Sequence, residues 1–231
     1  MSHARPSYQA IRIRVAEISV DQSRKALRTG PDRGLRQVQR VIESEIRRLP
    51  RDERGPLACA AGCDFCCHLR VMVNPVEVFA LIDFLHEALS REDWEDFCAS
   101  VAQANQQLRA LPADQVLTTN IPCPVLESGR CRGYSARPLN CRSYHSLSRE
   151  ACEASFNDPG NLDLGHPQLT ALAQVHAGGQ GGFVAALNEA GFDSRQYELV
   201  SALAEALDDP EARNRFGNRE QAFLREPLVE S

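Results

Sequence analysis

Lysine is nearly absent from this chain: Lys25 is the only one in 231 residues, and arginine supplies the rest of the positive charge. A nucleotide-binding phosphate loop needs a lysine after a glycine-rich turn, and Lys25 has no such turn before it, so that class is excluded. Schiff-base chemistry is reduced to this single candidate, in a polar segment. No apolar run approaches the roughly 20 residues of a membrane helix. Met1 to Val20 lacks a continuous apolar stretch, because Arg12 and Arg14 interrupt Ile11, Ile13 and Val15; no secretory leader is expected, and the expected compartment is the cytoplasm. There is no internal repeat, no strand series for a large sheet and no Ser-His-Asp pattern in a recognisable context. Carboxylate pairs such as Glu92-Asp93 and Asp208-Asp209 fall at helix ends, where they favour the dipole rather than catalysis.

What is present suits an ordinary globular protein, 43% hydrophobic with a formal net charge of −5. That charge argues against binding of nucleic acid by the whole molecule. Residues 1–56 nevertheless hold thirteen Arg or Lys against seven Asp or Glu, as a basic amphipathic helix with a solvated face would. Leu35, Val38, Ile42, Ile46 and Leu49 predict a helix over Asp32–Leu49, stopped by Pro50. Leu69–Val73 alternates like a short strand. Asn74-Pro75-Val76-Glu77 then predicts a capped helix over Pro75–Leu89, and Ser90 opens another with Trp94, Phe97, Val101 and Leu108 on its buried stripe. Ser148 is expected to cap a short helix to Phe156. Further helices are expected over Pro167–Ala177, Phe183–Ala190 and Ser194–Leu207, with Gly178-Gly179-Gln180-Gly181-Gly182 as a hinge or break and a frayed tail beyond. The segments expected are a basic helical stretch 1–56, a cysteine-cluster region 57–156 and a helical region 157–231, forming one compact domain.

The chain is rich in one chemistry-bearing residue. Of nine cysteines, Cys59, Cys63, Cys66 and Cys67 fall within nine residues, and Cys123, Cys131 and Cys141 follow in a loop rich in Arg, Pro and Tyr. A reducing compartment and an odd count argue against paired disulfides. Thiolates suit zinc, copper(I) or iron–sulfur centres, so Cys59, Cys63, Cys66, Cys67, Cys123, Cys131, Cys141 and Cys152 are the expected metal ligands. One division places three N-terminal sulfurs with one from Cys123, Cys131 or Cys141. Another shares all eight between two zinc ions, and only that one requires Cys152. Cys98 reads as a small core residue. Cys123 to Cys131 predicts a hairpin turning at Ser128-Gly129. His68 and His145 lie near the thiols and read as hydrogen-bonding neighbours rather than ligands, while Arg132, Arg137 and Arg142 offset thiolate charge or pair with carboxylates.

The cluster Cys59-x-x-x-Cys63-x-x-Cys66-Cys67, with Cys123-Pro-Val-Leu, Cys131-Arg-Gly-Tyr134 and Arg137-Pro-Leu-Asn-Cys141-Arg142, resembles the bacterial YkgJ-like cysteine-cluster family over roughly Leu57 to Cys152. That resemblance implies zinc or iron chelation, and a relation to flagellin lysine methylases implies methyl transfer as an option. Gly133 departs from it, since an apolar residue is expected before the tyrosine. Cys59-x-x-x-Cys63-x-Phe65-Cys66 also has the spacing of a radical S-adenosylmethionine loop, without the strand–helix alternation of such enzymes. The expected protein is therefore mainly α with a few short strands, its cysteine-rich loop region holding an iron–sulfur cluster or zinc. The alternatives are an iron–sulfur redox or methyl-transfer enzyme and a noncatalytic zinc-stabilised interaction module. The metal ion or cluster is the expected partner, with neither membrane nor nucleic acid, and no catalytic residue is assigned.

Overall fold

The computed structural model describes residues 7–225 and is mainly helical, with nine helices and four two-residue strands among them. The leader reading of Met1–Val20 and the tail reading both extend into segments, 1–6 and 226–231, that lie outside the described residues. Among the described residues no helix is long and apolar enough to cross a membrane. The chain divides into two compact units, Met1–Leu57 with Gln168–Ser194, and Ala58–Pro167 with Arg195–Ser231, so the stretch 157–231 is shared between them.

The first unit contains α1 (Tyr8–Leu27), α2 (Pro31–Arg48) and, far along the chain, the helix Thr170–Glu189. Helix α1 falls within the basic helical stretch expected over 1–56, but the sequence pattern does not mark its bounds. Its buried positions, Ile11, Val15, Ser19, Ser23 and Leu27, recur every fourth residue, but two of the five are serine, so the seam carries little hydrophobic signal. Ile13, at 51% exposure, points out. Ser7 starts the helix by accepting the Ala10 amide at 3.1 Å. Helix α2 matches its predicted span within a residue and buries Leu35, Val38, Val41 and Ile42. Buried Glu45 on α2 is met by both Arg14 and Arg48.

Thr170–Glu189 is one unbroken helix, which corrects the expected pair of helices joined at a glycine hinge. A Cβ on Gly178 would lie 2.5 Å from the Arg12 carbonyl oxygen, one on Gly182 2.4 Å from that of Ala16, and one on Gly179 2.3 Å from Ile42 Cγ1. These glycines are small because α1 and α2 press against them. Each loses about 1 kcal/mol of helix propensity relative to alanine, which the packing of three helices offsets.

In the second unit, β1 (Met72–Val73) is the end of the expected Leu69–Val73 strand, and the Val71 carbonyl beside it accepts the Leu199 amide at 2.8 Å. The strand runs antiparallel to the segment Tyr197–Glu198, with Met72 opposite Glu198 and Val73 opposite Tyr197. Helix α3 (Pro75–Ala88) starts as predicted, the Asn74 amide donating to Glu77 Oε2 at 2.8 Å. Helix α4 (Arg91–Arg109) is capped by Ser90 and buries Phe97, Val101, Ala104 and Leu108. After these come β2 (Leu126–Glu127), β3 (Arg130–Cys131), α5 (Leu139–Ser143) and α6 (Arg149–Asn157). With Thr170–Glu189 as α7 and Tyr197–Glu198 as β4, the chain ends in α8 (Leu199–Asp208) and α9 (Glu211–Gly217). The expected helix start at Ser194 is thus corrected. Pairing with β1 holds the first residues extended, and α8 begins only where the Glu198 carboxylate accepts the Ser201 amide at 2.9 Å. Leu81, Leu85, Phe97, Leu203, Phe216 and Phe223 form much of this unit's interior.

Candidate thiol site

Three chain segments of the second unit carry the thiols, and backbone hydrogen bonds join them. The first opens where the Ala58 amide donates to the Ser146 carbonyl at 2.8 Å. It turns through Gly62, whose φ of +86° suits glycine, into the short 3-10 turn Phe65–His68 that bears Cys66 and Cys67. Phe65 and His68 pack on Phe156 of α6, with ring centroids 5.5 and 4.9 Å apart, and this fixes the turn. The second segment is the hairpin, tied to the first by the Cys123 amide donating to the Cys67 carbonyl at 2.8 Å.

The hairpin turns at Ser128-Gly129 as predicted, with φ of +49° and +73°, the backbone of a type I′ turn. Gly133 just beyond it corrects the expectation of an apolar residue. A Cβ there would lie 2.5 Å from Leu81 Cδ1 and 3.1 Å from Val125 Cγ1, so the space is already filled by α3 and the hairpin. The third segment is α5 with Cys141. Its Leu139 amide donates to Glu77 Oε1 at 2.7 Å, making the buried Glu77 carboxylate a bridge between α3 and α5. Burial holds the Glu77 carboxyl above the usual carboxylate range, partly opposed by the amides of Asn74 and Leu139.

Cys66 and Cys67 are adjacent, half-buried thiols whose ionisations are linked, so the second proton is harder to remove than the first. The neighbouring Cys67 thiol, aided by the Arg137 charge, brings Cys66 down to about 7, and Cys66 together with burial pushes Cys67 up. Burial raises Cys123 to about 12 and raises Cys63, Cys131 and Cys141 as well. The charges of Cys123 and Cys131 act on Cys67, while those of Cys123, Cys131 and Cys66 act on Cys141. Thiols from all three segments are therefore within electrostatic reach of one another.

The remaining candidates lie nearer the edge. Cys59 is exposed and Cys152 half-buried on α6, and both act electrostatically on Tyr144, whose phenol is raised mainly by burial and whose hydroxyl lies 3.2 Å from His166 Nδ1. Cys98 is half-buried on α4, raised by burial and by Glu95. His145 Nδ1 lies 2.9 Å from the Ser143 carbonyl oxygen and His68 Nδ1 3.2 Å from that of Asp64.

This arrangement corrects the expected function. Among the described residues no group of three or more His, Cys, Asp and Glu side chains is gathered as a metal ion would require. A tetrahedral thiolate site needs its sulfurs about 2.3 Å from one point. Here Cys59 lies in solvent and Cys152 rides on a separate helix. The iron–sulfur or zinc protein and the two alternatives built on the same metal are set aside together.

The arginines divide their duties. Arg132 pairs with Glu127 at 3.3 Å, and Arg142 donates to the carbonyls of Arg137 and Ser135. Arg137 stacks on Tyr134 with its guanidinium carbon 3.9 Å from the ring centroid. Arg70, which the sequence reading passed over, is almost fully buried, donates to the His68 and Ile121 carbonyls and lies 3.8 Å from Glu198. Its place in an alternating strand pattern beside Val71 and Val73 was the one available signal. No family model, curated protein or solved structure matches this chain.

Proposed function

We propose that the protein is a thiol-based redox switch in which Cys66 is the reacting sulfur and Cys131 the resolving one. The observation that carries this reading is that the turn bearing Cys66 and Cys67 is tied directly to the hairpin bearing Cys123 and Cys131, the Cys123 amide donating to the Cys67 carbonyl at 2.8 Å, with every cysteine free. Cys66 is the thiol held below the ordinary range, and a thiolate is the nucleophile of exchange chemistry. A hydroperoxide is the oxidant class. The thiolate displaces the alcohol, or water, from the peroxide oxygen with uptake of one proton, giving sulfenic acid at Cys66. The Cys131 thiol then attacks that sulfur, a disulfide forms and water leaves.

Cys67 is the poorer partner for the second step, because adjacent Cα atoms stand about 3.8 Å apart across one peptide bond, below the usual disulfide range of about 4.4–6.8 Å. Cys131 lies on the hairpin that the Cys123 amide ties to the Cys67 carbonyl; no cysteine pair among the described residues stands at disulfide distance in the reduced protein, so the crosslink requires the hairpin and the turn to close on each other. Cysteine usage supports a reducing setting, the cytoplasm, as part of the proposal. The motif combination supports kinship with the YkgJ-like family in its cysteine pattern alone. The test is peroxide treatment of the reduced protein followed by peptide mapping. A Cys66–Cys131 crosslink reversed by dithiothreitol and absent from Cys66→Ser is expected; loss of exposed Cys59 alone would overturn the reading.

A further inference from the structure

Helix α2 carries its exposed charge on one side. Its exposed positions are Arg33, Arg36, Arg40, Glu43, Arg47 and Arg48, so all but one are arginine and none is apolar. At about 100° per residue, Arg33, Arg36, Arg40 and Arg47 fall within an arc of about 60° and span about 21 Å of the axis. They lie opposite the buried Leu35, Val38 and Ile42. Elsewhere in the first unit basic side chains find carboxylates: Arg14 and Arg48 meet Glu45, Lys25 lies 2.7 Å from Asp21, and Arg24 lies 3.5 Å from Glu189. None of the four side chains in the row has an ion pair or hydrogen bond among the described residues, and Asp32 and Glu43 lie beside the arc without pairing to it. Like charges three and four residues apart oppose a helix, so the row needs a reason outside α2.

We infer that this face of α2 is a docking surface for the phosphodiester backbone of a nucleic acid. Charge complementarity selects the occupant. A repeating anion can meet every guanidinium of a straight row, and one strand of a duplex offers a phosphate about every 3.4 Å of axis. A protein partner needs aromatic or apolar anchors at the centre of its interface, and a membrane-surface helix needs a bulky apolar face beside its basic one. The exposed positions of α2 supply neither. Arginine's planar fork takes phosphate through paired N–H donors, and such contacts carry no base preference. The net charge of −5 belongs to the whole chain, whereas residues 1–56 hold thirteen Arg or Lys against seven Asp or Glu. The thiols belong to the other unit, so this surface and the thiol switch stand apart.

The test is fluorescence anisotropy of labelled DNA duplex and single-stranded RNA, both of mixed sequence, with full-length protein from about 50 to 200 mM salt. Four phosphate contacts predict a slope of log affinity against log salt of roughly −3.6 on the duplex and −2.8 on the single strand, so duplex affinity falls about a hundredfold over that range. Replacing Arg33, Arg36, Arg40 and Arg47 together by Gln is expected to abolish binding without lowering the melting temperature. Glu43→Gln is expected to tighten it severalfold, and Arg109→Gln, exposed on α4 in the other unit, to leave it unchanged. Wild type that binds neither nucleic acid at about 50 mM salt, or binding that survives the fourfold replacement, would overturn the inference. Equal or tighter binding to polyglutamate or to phosphatidylserine vesicles would overturn it too, by assigning the face to an acidic protein or a membrane. Should the fourfold variant not fold, Arg36→Gln and Arg40→Gln are each expected to make the duplex slope about 0.9 less steep, and unchanged slopes would defeat the assignment.

Discussion

Two thiols joined by one peptide bond lose their protons as a unit, the first easily and the second with difficulty. In this pair the first loss falls to Cys66, at about 7, beside the Cys67 thiol, and the surrounding thiols oppose a second charge. An ordinary cysteine titrates near 8.5. A folded-state value below the unfolded one means that ionised Cys66 stabilises the fold above the ordinary thiol range, and that this contribution is lost as pH falls through about 7. Iodoacetamide labelling of Cys66, followed by mass spectrometry from about pH 5.5 to 9, is expected to show a midpoint near 7. In Cys67→Ala the midpoint should rise toward the ordinary value. An unchanged midpoint in that variant would remove the Cys67 thiol from the account.

At the scale of elements, the glycine run of α7 shows how one local composition supports opposite outcomes. Gly178 and Gly182 face backbone carbonyls of α1 at 2.5 and 2.4 Å from a built Cβ, and backbone does not step aside as a side chain does. Gly182→Ala is expected to destabilise the protein by about 1–3 kcal/mol through overpacking. Gly181 has nothing within 4 Å of its Cβ, so Gly181→Ala should stabilise by about 0.5–1 kcal/mol through helix propensity alone. Denaturant midpoints of the two variants check both signs. A break at these glycines would make Gly182→Ala harmless.

Across the whole molecule, Arg70 and Glu198 are the most consequential buried charges, because they connect segments far apart in sequence within the second unit. Arg70 reaches the carbonyls of His68 and Ile121, while Glu198 belongs to β4 and caps α8. Their side chains are 4% and 3% exposed. Removing one partner strands the other in the interior, so Arg70→Met is expected to lower stability by about 3–5 kcal/mol. The double replacement Arg70→Met with Glu198→Gln should recover much of that loss in urea unfolding. A double variant no more stable than Arg70→Met would mean that the carbonyl contacts, not the charges, hold the segments.

Local chemistry was legible from residues alone. The Asn74–Glu77 start, the Ser90 and Ser148 caps and the Ser128-Gly129 turn each need only neighbours within a few positions, and all four are present. Sequence therefore determined most helices, the hairpin and the segments that carry thiols. The seam of helix α1, the continuity of α7 and the extended start at Tyr197 depended on contacts more than 100 residues away along the chain. The same holds for the site. Spacing brought Cys66 and Cys67 together but left open whether thiols from distant segments would gather as a metal ion requires. Tertiary structure decided against it among the described residues, since the place of each segment is set by what packs behind it, here Phe156 under the turn and Leu81 against Gly133.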